Sequence, residues 1–328
     1  MGSDKLQFSV VAQSWPLDNP FRTSRGASTE ARVVVVTVTD GEHTGRGESV
    51  PISRYRQTPD STVAQLEQIF PNCVDRRQIQ GLLPAGAARN ALDCALWDLE
   101  AKASGQRVWE LANIPIVPEV ETSFTISLDA PAAMAAAAKA NSLAPILKLK
   151  LGGDELDLAR VEAVHGAVPG ARLLIDANES WSPAHYRKIV PALAELGVEL
   201  IEQPFPEGAD DVLETLDHPI PVCADESCHT TADLPRLVNL YDAINVKLDK
   251  TGGLTEALLL TERARQSGLK ILVGCMVCTS LGIAPARLLV RATDHADLDG
   301  PLLLAGDRHH QLSYQMGKIG LPSRELWG

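Results

Sequence analysis

Five charged residues recur at nearly even intervals through the middle of this 328-residue chain: Lys150, Asp176, Glu202, Asp225 and Lys247. Each ends or nearly ends a short apolar run, in ILKLKL, RLLIDA, ELIEQP, PVCADE and AINVKL. Three carboxylates brought together repel one another unless a cation neutralises them. An all-oxygen set points to a hard divalent ion, Mg²⁺, with Asp176, Glu202 and Asp225 as its ligands. No His or Cys stands in the same register of a neighbouring run, which disfavours zinc. Lys150 and Lys247 suit proton transfer, because an ammonium near a second cation gives up its proton below the ordinary pKa of about 10.4. Two amines on opposite faces of one carbon can take a proton from one side and return one from the other. The ion would stabilise the enolate between those steps.

Further residues join this set by spacing. Lys148 lies two residues before Lys150, hence on the same strand face and deeper. Asp297 and Asp299 share one face of a later run, where a cation at the far end of an extended substrate would bind. A substrate with a carboxylate at the metal and an ammonium several bonds away fits a dipeptide. Each lone charge has a plainer reading as a solvated surface residue; five in register do not. Lys250, in the turn KTGG, competes with Lys247 for the strand-end role, and Gly252-Gly253 reads as a tight strand-to-helix turn. Cys275 and Cys278 have C-x-x-C spacing, but no second such pair or ordered His pair accompanies them, so a metal or redox role rests on spacing alone. His309-His310 reads as a surface feature.

The elements that must position these side chains form a repeat. From about residue 118, eight apolar runs, at 123–128, 146–151, 172–177, 199–204, 221–226, 243–248, 270–275 and 296–301, alternate with helical patterns such as ELDLARVEAVHGAV. Eight β-α units in succession predict a closed parallel (β/α) barrel of TIM type over 118–305, with its site at the carboxyl ends of the strands. Strands two and six of such a barrel stand opposite each other, so Lys150 and Lys247 should face across its mouth. Residues 1–117 read as an α+β capping domain: FSVVAQSWPL and EARVVVVTVTDG pair as strands, and ARNALDCALWDLEAKASG is helical. Between the strands, about 15–30, a polar loop with Gly26 is a candidate lid. The tail, 306–328, lacks helical periodicity and is read as returning to the capping domain.

Composition bounds the rest. With 30 basic against 42 acidic residues, net charge -12, a phosphate-backbone surface is disfavoured and nucleic acid is not an expected partner. No apolar run reaches the roughly 20 residues of a membrane span, and the start lacks the basic-then-apolar order of a signal peptide, so the chain is read as cytoplasmic. Six cysteines, at 73, 94, 223, 228, 275 and 278, are too sparse for a disulfide scaffold. A homo-oligomer is compatible with the sequence, though no surface patch decides it.

KLK at 148–150, IDANESW, IEQP, CADES and NVKLDKTGG resemble the muconate-lactonizing subgroup of the enolase superfamily. With GAARNALDCALWDLEA, CADESCHT, KLDKTGGLTEAL, GCMVCTS and DLDGP, the likeness is closer to the dipeptide epimerases and covers nearly the whole chain. The resemblance implies one Mg²⁺ on Asp176, Glu202 and Asp225, an acid-base pair of Lys150 and Lys247, and binding of a dipeptide amino terminus by Asp297 and Asp299. It gives Arg25, in PFRTSRG, the substrate glutamate's side-chain carboxylate, with Arg22 close by as a competitor; Lys148, on the site face of its strand, is read as a further substrate-binding residue. The resemblance further implies interconversion of L-Ala-L-Glu and L-Ala-D-Glu in murein peptide metabolism. Alternatives on the same shell are epimerisation of other dipeptides or N-acylamino acids, o-succinylbenzoate synthesis and cycloisomerisation. A non-catalytic metal- or peptide-binding barrel is a further alternative, disfavoured by the complete charged set.

Overall fold

β1 (Gln7–Thr23) runs antiparallel to β2 (Gly26–Thr39), which pairs in turn with β3 (Thr44–Ser49). The structure is a computed structural model that describes residues 6–70, 75–292 and 294–328; Cys73 lies outside them. α1 (Pro59–Ile69), α2 (Arg76–Leu82), α3 (Ala87–Ser104) and α4 (Val108–Leu111) complete this α+β unit. Its centre is the packing of α3 on β3. A side chain at Gly45 or Gly47 would meet Ala95 O at 2.1 Å or Ala91 O at 2.2 Å, so only glycine lets helix and strand approach this closely.

After the short β4 (Val120–Glu121), eight strands follow in parallel: β5 (Ser123–Ile126), β6 (Ile146–Lys150), β7 (Arg172–Asp176), β8 (Val198–Glu202), β9 (Val222–Ala224), β10 (Ala243–Val246), β11 (Lys270–Gly274) and β12 (His295–Asp297). Each neighbours the next in chain order, as successive right-handed β-α units require. Between them lie α5 (Pro131–Ala140), α6 (Asp157–Ala167), α7 (Pro183–Glu195), α8 (Leu234–Leu237), α9 (Leu248–Thr251), α10 (Leu254–Gln266) and α11 (Ser280–Arg287). The β8–β9 connection carries a 3-10 turn, Asp210–Thr215, in place of an α-helix. β12 and β5 are joined by side chains: Ser123 Oγ donates to Asp297 Oδ1 at 2.7 Å, Thr125 N to Asp299 Oδ2 at 2.6 Å and Leu298 N to Thr122 Oγ1 at 2.8 Å. The eight expected strands are therefore all present, in a near-closed barrel.

The alternation of ILKLK is explained by its two faces. Leu147 and Leu149 join the large apolar core outside the strands, whereas Ile146, Lys148 and Lys150 share the opposite face. Ile146, Leu174, Leu200, Cys223, Ala243 and Leu272 form an apolar layer of their own. The barrel is thus packed at its base and charged towards its mouth.

The segment expected as a polar loop is mostly strand. Trp15 pairs with Ala31 and Pro16 with Glu30, a register shift follows, and pairing resumes from Phe21–Ser28 to Thr23–Gly26. Alternating burial along β1 shows why polarity misled: one face of this arm packs and the other is exposed. Its tip lies on the barrel, where Leu128 N donates to Arg22 O at 3.1 Å and Ser24 Oγ to Asn178 O at 3.2 Å. At the other end of the chain, β13 (Tyr314–Gln315) and β14 (Lys318–Ile319) form a hairpin paired to β4. The last residues then cross to α3: Trp327 Nε1 donates to Cys94 O at 3.0 Å and Gly328 N to Asp98 Oδ1 at 2.7 Å. No helix among the described residues is long and apolar enough to cross a membrane.

Candidate active site

Lys150, Asp176 and Glu202 are the last residues of β6, β7 and β8, and Asp225 and Lys247 are the first residues beyond β9 and β10. Register aligns them: Lys150 pairs with Asp176 and Asp176 with Glu202 across the sheet. β6 and β10 are four strands apart in a ring of eight, which puts Lys150 and Lys247 on opposite sides. Arg25, Lys148, Lys150, Lys247, Asp297 and Asp299 all line one cavity of about 1010 Å³ at this end.

All three carboxylates are buried and held by ammonium groups. Lys150 Nζ lies 2.5 Å from Asp176 Oδ2, and Lys247 Nζ lies 2.7 Å from Asp225 Oδ2 and 3.9 Å from Glu202 Oε1. Lys250 also reaches Asp225 Oδ1, at 2.6 Å, so this competitor for the strand-end role, in α9, is a second lysine holding that carboxylate. Lys148 Nζ sits among Asp297 at 2.6 Å, Glu202 at 2.7 Å and Asp176 at 3.1 Å. Asp297 and Asp299 were expected at the far end of the substrate from the metal. Lys148 stands on β6, two strands from β12 and two from β8 around the ring, and its ammonium joins Asp297 to the cluster.

These contacts set the charges. Burial pushes Asp176 up, but Lys150 and Lys148 outweigh it and hold this carboxyl below its ordinary range. Glu202 is pushed up to about 8 by burial and by Asp176. Burial works to lower Lys247, yet Asp225 and Glu202 hold it above its ordinary value, opposite to the depression expected for a base. Asp299, pushed up to about 7 by burial and then by Asp297, is the less strongly held acid of its pair.

Among the described residues no three His, Cys, Asp or Glu side chains already stand as a ligand set, because the ammonium groups are drawn in among the carboxylates. The donors nevertheless fit a hard dication: three buried carboxylates on adjacent strands, with buried oxygens that have no hydrogen-bond partner beside them, Asn178 Oδ1, Glu226 Oε2 and Asn245 Oδ1.

Residues 5–112 match the N-terminal domain of mandelate racemase and muconate lactonizing enzyme, and residues 111–324 match the enolase C-terminal domain-like family. The chain belongs to this family. The match to the L-Ala-D/L-Glu epimerase of Escherichia coli K12 is 44% identical over 317 residues, covering 95% of this chain and 98% of the relative. An N-acetyl-D-glutamate racemase from Pseudoalteromonas sp. is 42% identical over 301 residues, covering 90% and 95%. The fold superposes with a TM-score of 0.95 on an enolase family member from Agrobacterium tumefaciens with homology to dipeptide epimerases, solved with sodium, L-Ala-L-Glu and an ordered loop; identity is 45%, covering 98% of this chain and 100% of that one. Within the mandelate racemase and muconate lactonizing enzyme family, this chain falls in the dipeptide epimerase branch and is an isomerase of the racemase and epimerase type.

Sequence reasoning passed over several residues that hold this family member's site together. Gln203, in the left-handed region at φ 36°, accepts from Asp225 N at 2.8 Å and Ser227 N at 3.2 Å, which ties the end of β8 to the loop carrying Asp225. Asn245 Nδ2 donates to Glu202 Oε1 at 2.8 Å; its place two residues before Lys247 on one strand face was the available signal. Glu179, next to Asn178 and also left-handed, accepts from Arg25, from Arg54 at 2.7 Å and from Glu207 N at 2.7 Å. Arg25 itself lies 2.6 Å from Glu226 Oε1, so the arm carries its cation to the mouth.

Proposed function

We propose that this chain is a Mg²⁺-dependent dipeptide epimerase that interconverts L-Ala-L-Glu and L-Ala-D-Glu, in murein peptide metabolism. The observation that carries the reading is the placement of Lys150 and Lys247 on opposite sides of one cavity, each against a buried carboxylate of one cluster. Asp176, Glu202 and Asp225 are the residues that would hold the ion, which supplies positive charge to the substrate carboxylate as its α-proton leaves. One lysine Nζ takes the α-proton and the other, protonated, returns one to the opposite face, so the carbon inverts. Lys148, its ammonium committed to three carboxylates, orients the substrate carboxylate and does not exchange a proton. Arg25 exchanges Glu226 for the side-chain carboxylate of the substrate glutamate. The Phe21 ring lies 5.8 Å from Lys150 Nζ, on the wall of the same cavity.

The ammonium of the dipeptide falls to Asp299 more than to Asp297, because both oxygens of Asp297 are engaged, by Ser123 and Lys148. The same observation keeps an N-acylamino acid as the second reading, since such a substrate brings no cation. Proton NMR in D₂O with Mg²⁺ tests the first: the glutamate α-proton signal of L-Ala-L-Glu should vanish as the diastereomer grows, and chelation by EDTA should stop both. Folded, Mg²⁺-loaded protein that exchanges no α-proton overturns it. Asp299→Ala separates the readings. Loss of a hydrogen bond to a charged group, about 1.5–3 kcal/mol, should raise KM for L-Ala-L-Glu by roughly 10- to 100-fold. If N-acetyl-L-glutamate is the better substrate and its KM is unmoved, the second reading stands.

A further inference from the structure

The turn Cys275–Met276–Val277–Cys278 carries the chain from β11 to α11 and has no part in the chemistry above. Cys275, Met276 and Val277 line the catalytic cavity, with Cys275 half-buried, whereas Cys278 is 3% exposed. Both are free thiols three residues apart on this one turn, and the neighbouring Cys275, ahead of burial, pushes the Cys278 thiol up. Cys94, Cys223 and Cys228 are buried and line no part of this cavity. We propose that Cys275 and Cys278 form a reversible disulfide when a peroxide enters the cavity, and that this modification switches the site off.

Cys275, the thiol that lines the cavity, reacts first. The Cys275 sulfur attacks a peroxide oxygen and the O–O bond breaks; the displaced oxygen leaves as water with the thiol proton, and Cys275 becomes a sulfenic acid. The Cys278 sulfur then attacks the Cys275 sulfur. An S–S bond forms, the S–O bond breaks and the hydroxyl departs with the Cys278 proton as a second water. Two thiols are oxidised by two electrons and one peroxide is reduced.

The turn has no slack in which to absorb this bond. A Cβ at Gly300 would lie 3.0 Å from both Cys278 N and Met276 O, so the turn packs directly on the segment carrying Asp299. At its far end Thr279 N is tied to Glu48 Oε1 at 2.8 Å. Any shift of the turn as its two Cβ atoms settle at the roughly 3.8 Å of a disulfide therefore passes to Gly300 and Asp299.

The test treats the full chain with hydrogen peroxide, traps remaining thiols with iodoacetamide after unfolding, and maps the peptides. The peptide holding both cysteines should lose two hydrogens and escape alkylation. In parallel, kcat/KM for L-Ala-L-Glu should fall about a hundredfold, as a shift of about 1 Å costs, and dithiothreitol should restore both. Cys278→Ser should instead carry Cys275 to sulfinic acid without recovery, and Cys275→Ser should leave Cys278 unmodified. Two alkylated cysteines after peroxide, or a disulfide with unchanged turnover, overturn the proposal. The mass readout needs no substrate, so it stands apart from the fate of the dipeptide reading.

Discussion

Lys148 and Lys150 are two residues apart on one strand face, yet their surroundings differ. Lys148 has three carboxylates within 3.1 Å, whereas Lys150, also lining the cavity, pairs with Asp176. A residue that must pick up and release protons is better placed in the second position. Lys150→Ala and Lys247→Ala should each lose epimerisation by about 100- to 10,000-fold, the usual contribution of a positioned acid or base. Each variant should keep solvent exchange from one stereoisomer, a different one in the two cases, measured by loss of the α-proton signal in D₂O. Exchange from both isomers in either variant would remove that lysine from the pair.

The arm formed by β1 and β2 and the helix α3 each place part of the capping unit over the barrel. At the arm's tip Arg25 is held by Glu226 and Glu179, and Glu179 also takes Arg54 from the segment after β3. Arg25→Ala should raise KM for L-Ala-L-Glu by about tenfold or more while moving L-Ala-L-Gln little, because only the former brings a carboxylate to the arginine. Steady-state kinetics on the two dipeptides decides it. On α3, Asp93 is fully buried and accepts from Gln80, Thr255 N and Thr255 Oγ1 at 2.6–2.9 Å. Burial pushes its carboxyl up to about 6 from 3.8. The folded state therefore binds more protons than the unfolded state between those values, and stability falls as pH rises from about 4 to about 6. The loss approaches about 3 kcal/mol at 1.36 kcal/mol per pH unit. Urea unfolding of Asp93→Asn at pH 4 and pH 7 should show this difference removed; a variant with the wild-type pH dependence would assign it elsewhere.

Across the whole molecule, the two units are fastened by the chain's end. Trp327 is wholly buried against α3, and Arg107 Nη2 donates to Pro322 O at 2.6 Å. Trp327→Ala should cost about 3–5 kcal/mol, as for other buried large-to-small changes, and lower the urea midpoint. A loss under about 1 kcal/mol would show that the tail only rests on the cap.

Alternating apolar and charged residues in ILKLK and strand-end charges at nearly even intervals were readable because a parallel barrel repeats one β-α unit and turns one face inward. That repetition determined eight strands, their order and the carboxylates at their ends. Only the tertiary structure decided that residues around Phe21 are strand, that Lys148 joins Asp297 to Asp176 and Glu202, and that Glu179 and Gln203 adopt left-handed backbone to hold their partners. Local sequence carries periodicity, whereas these features arise when the barrel closes and the arm folds over it, bringing together side chains more than a hundred residues apart.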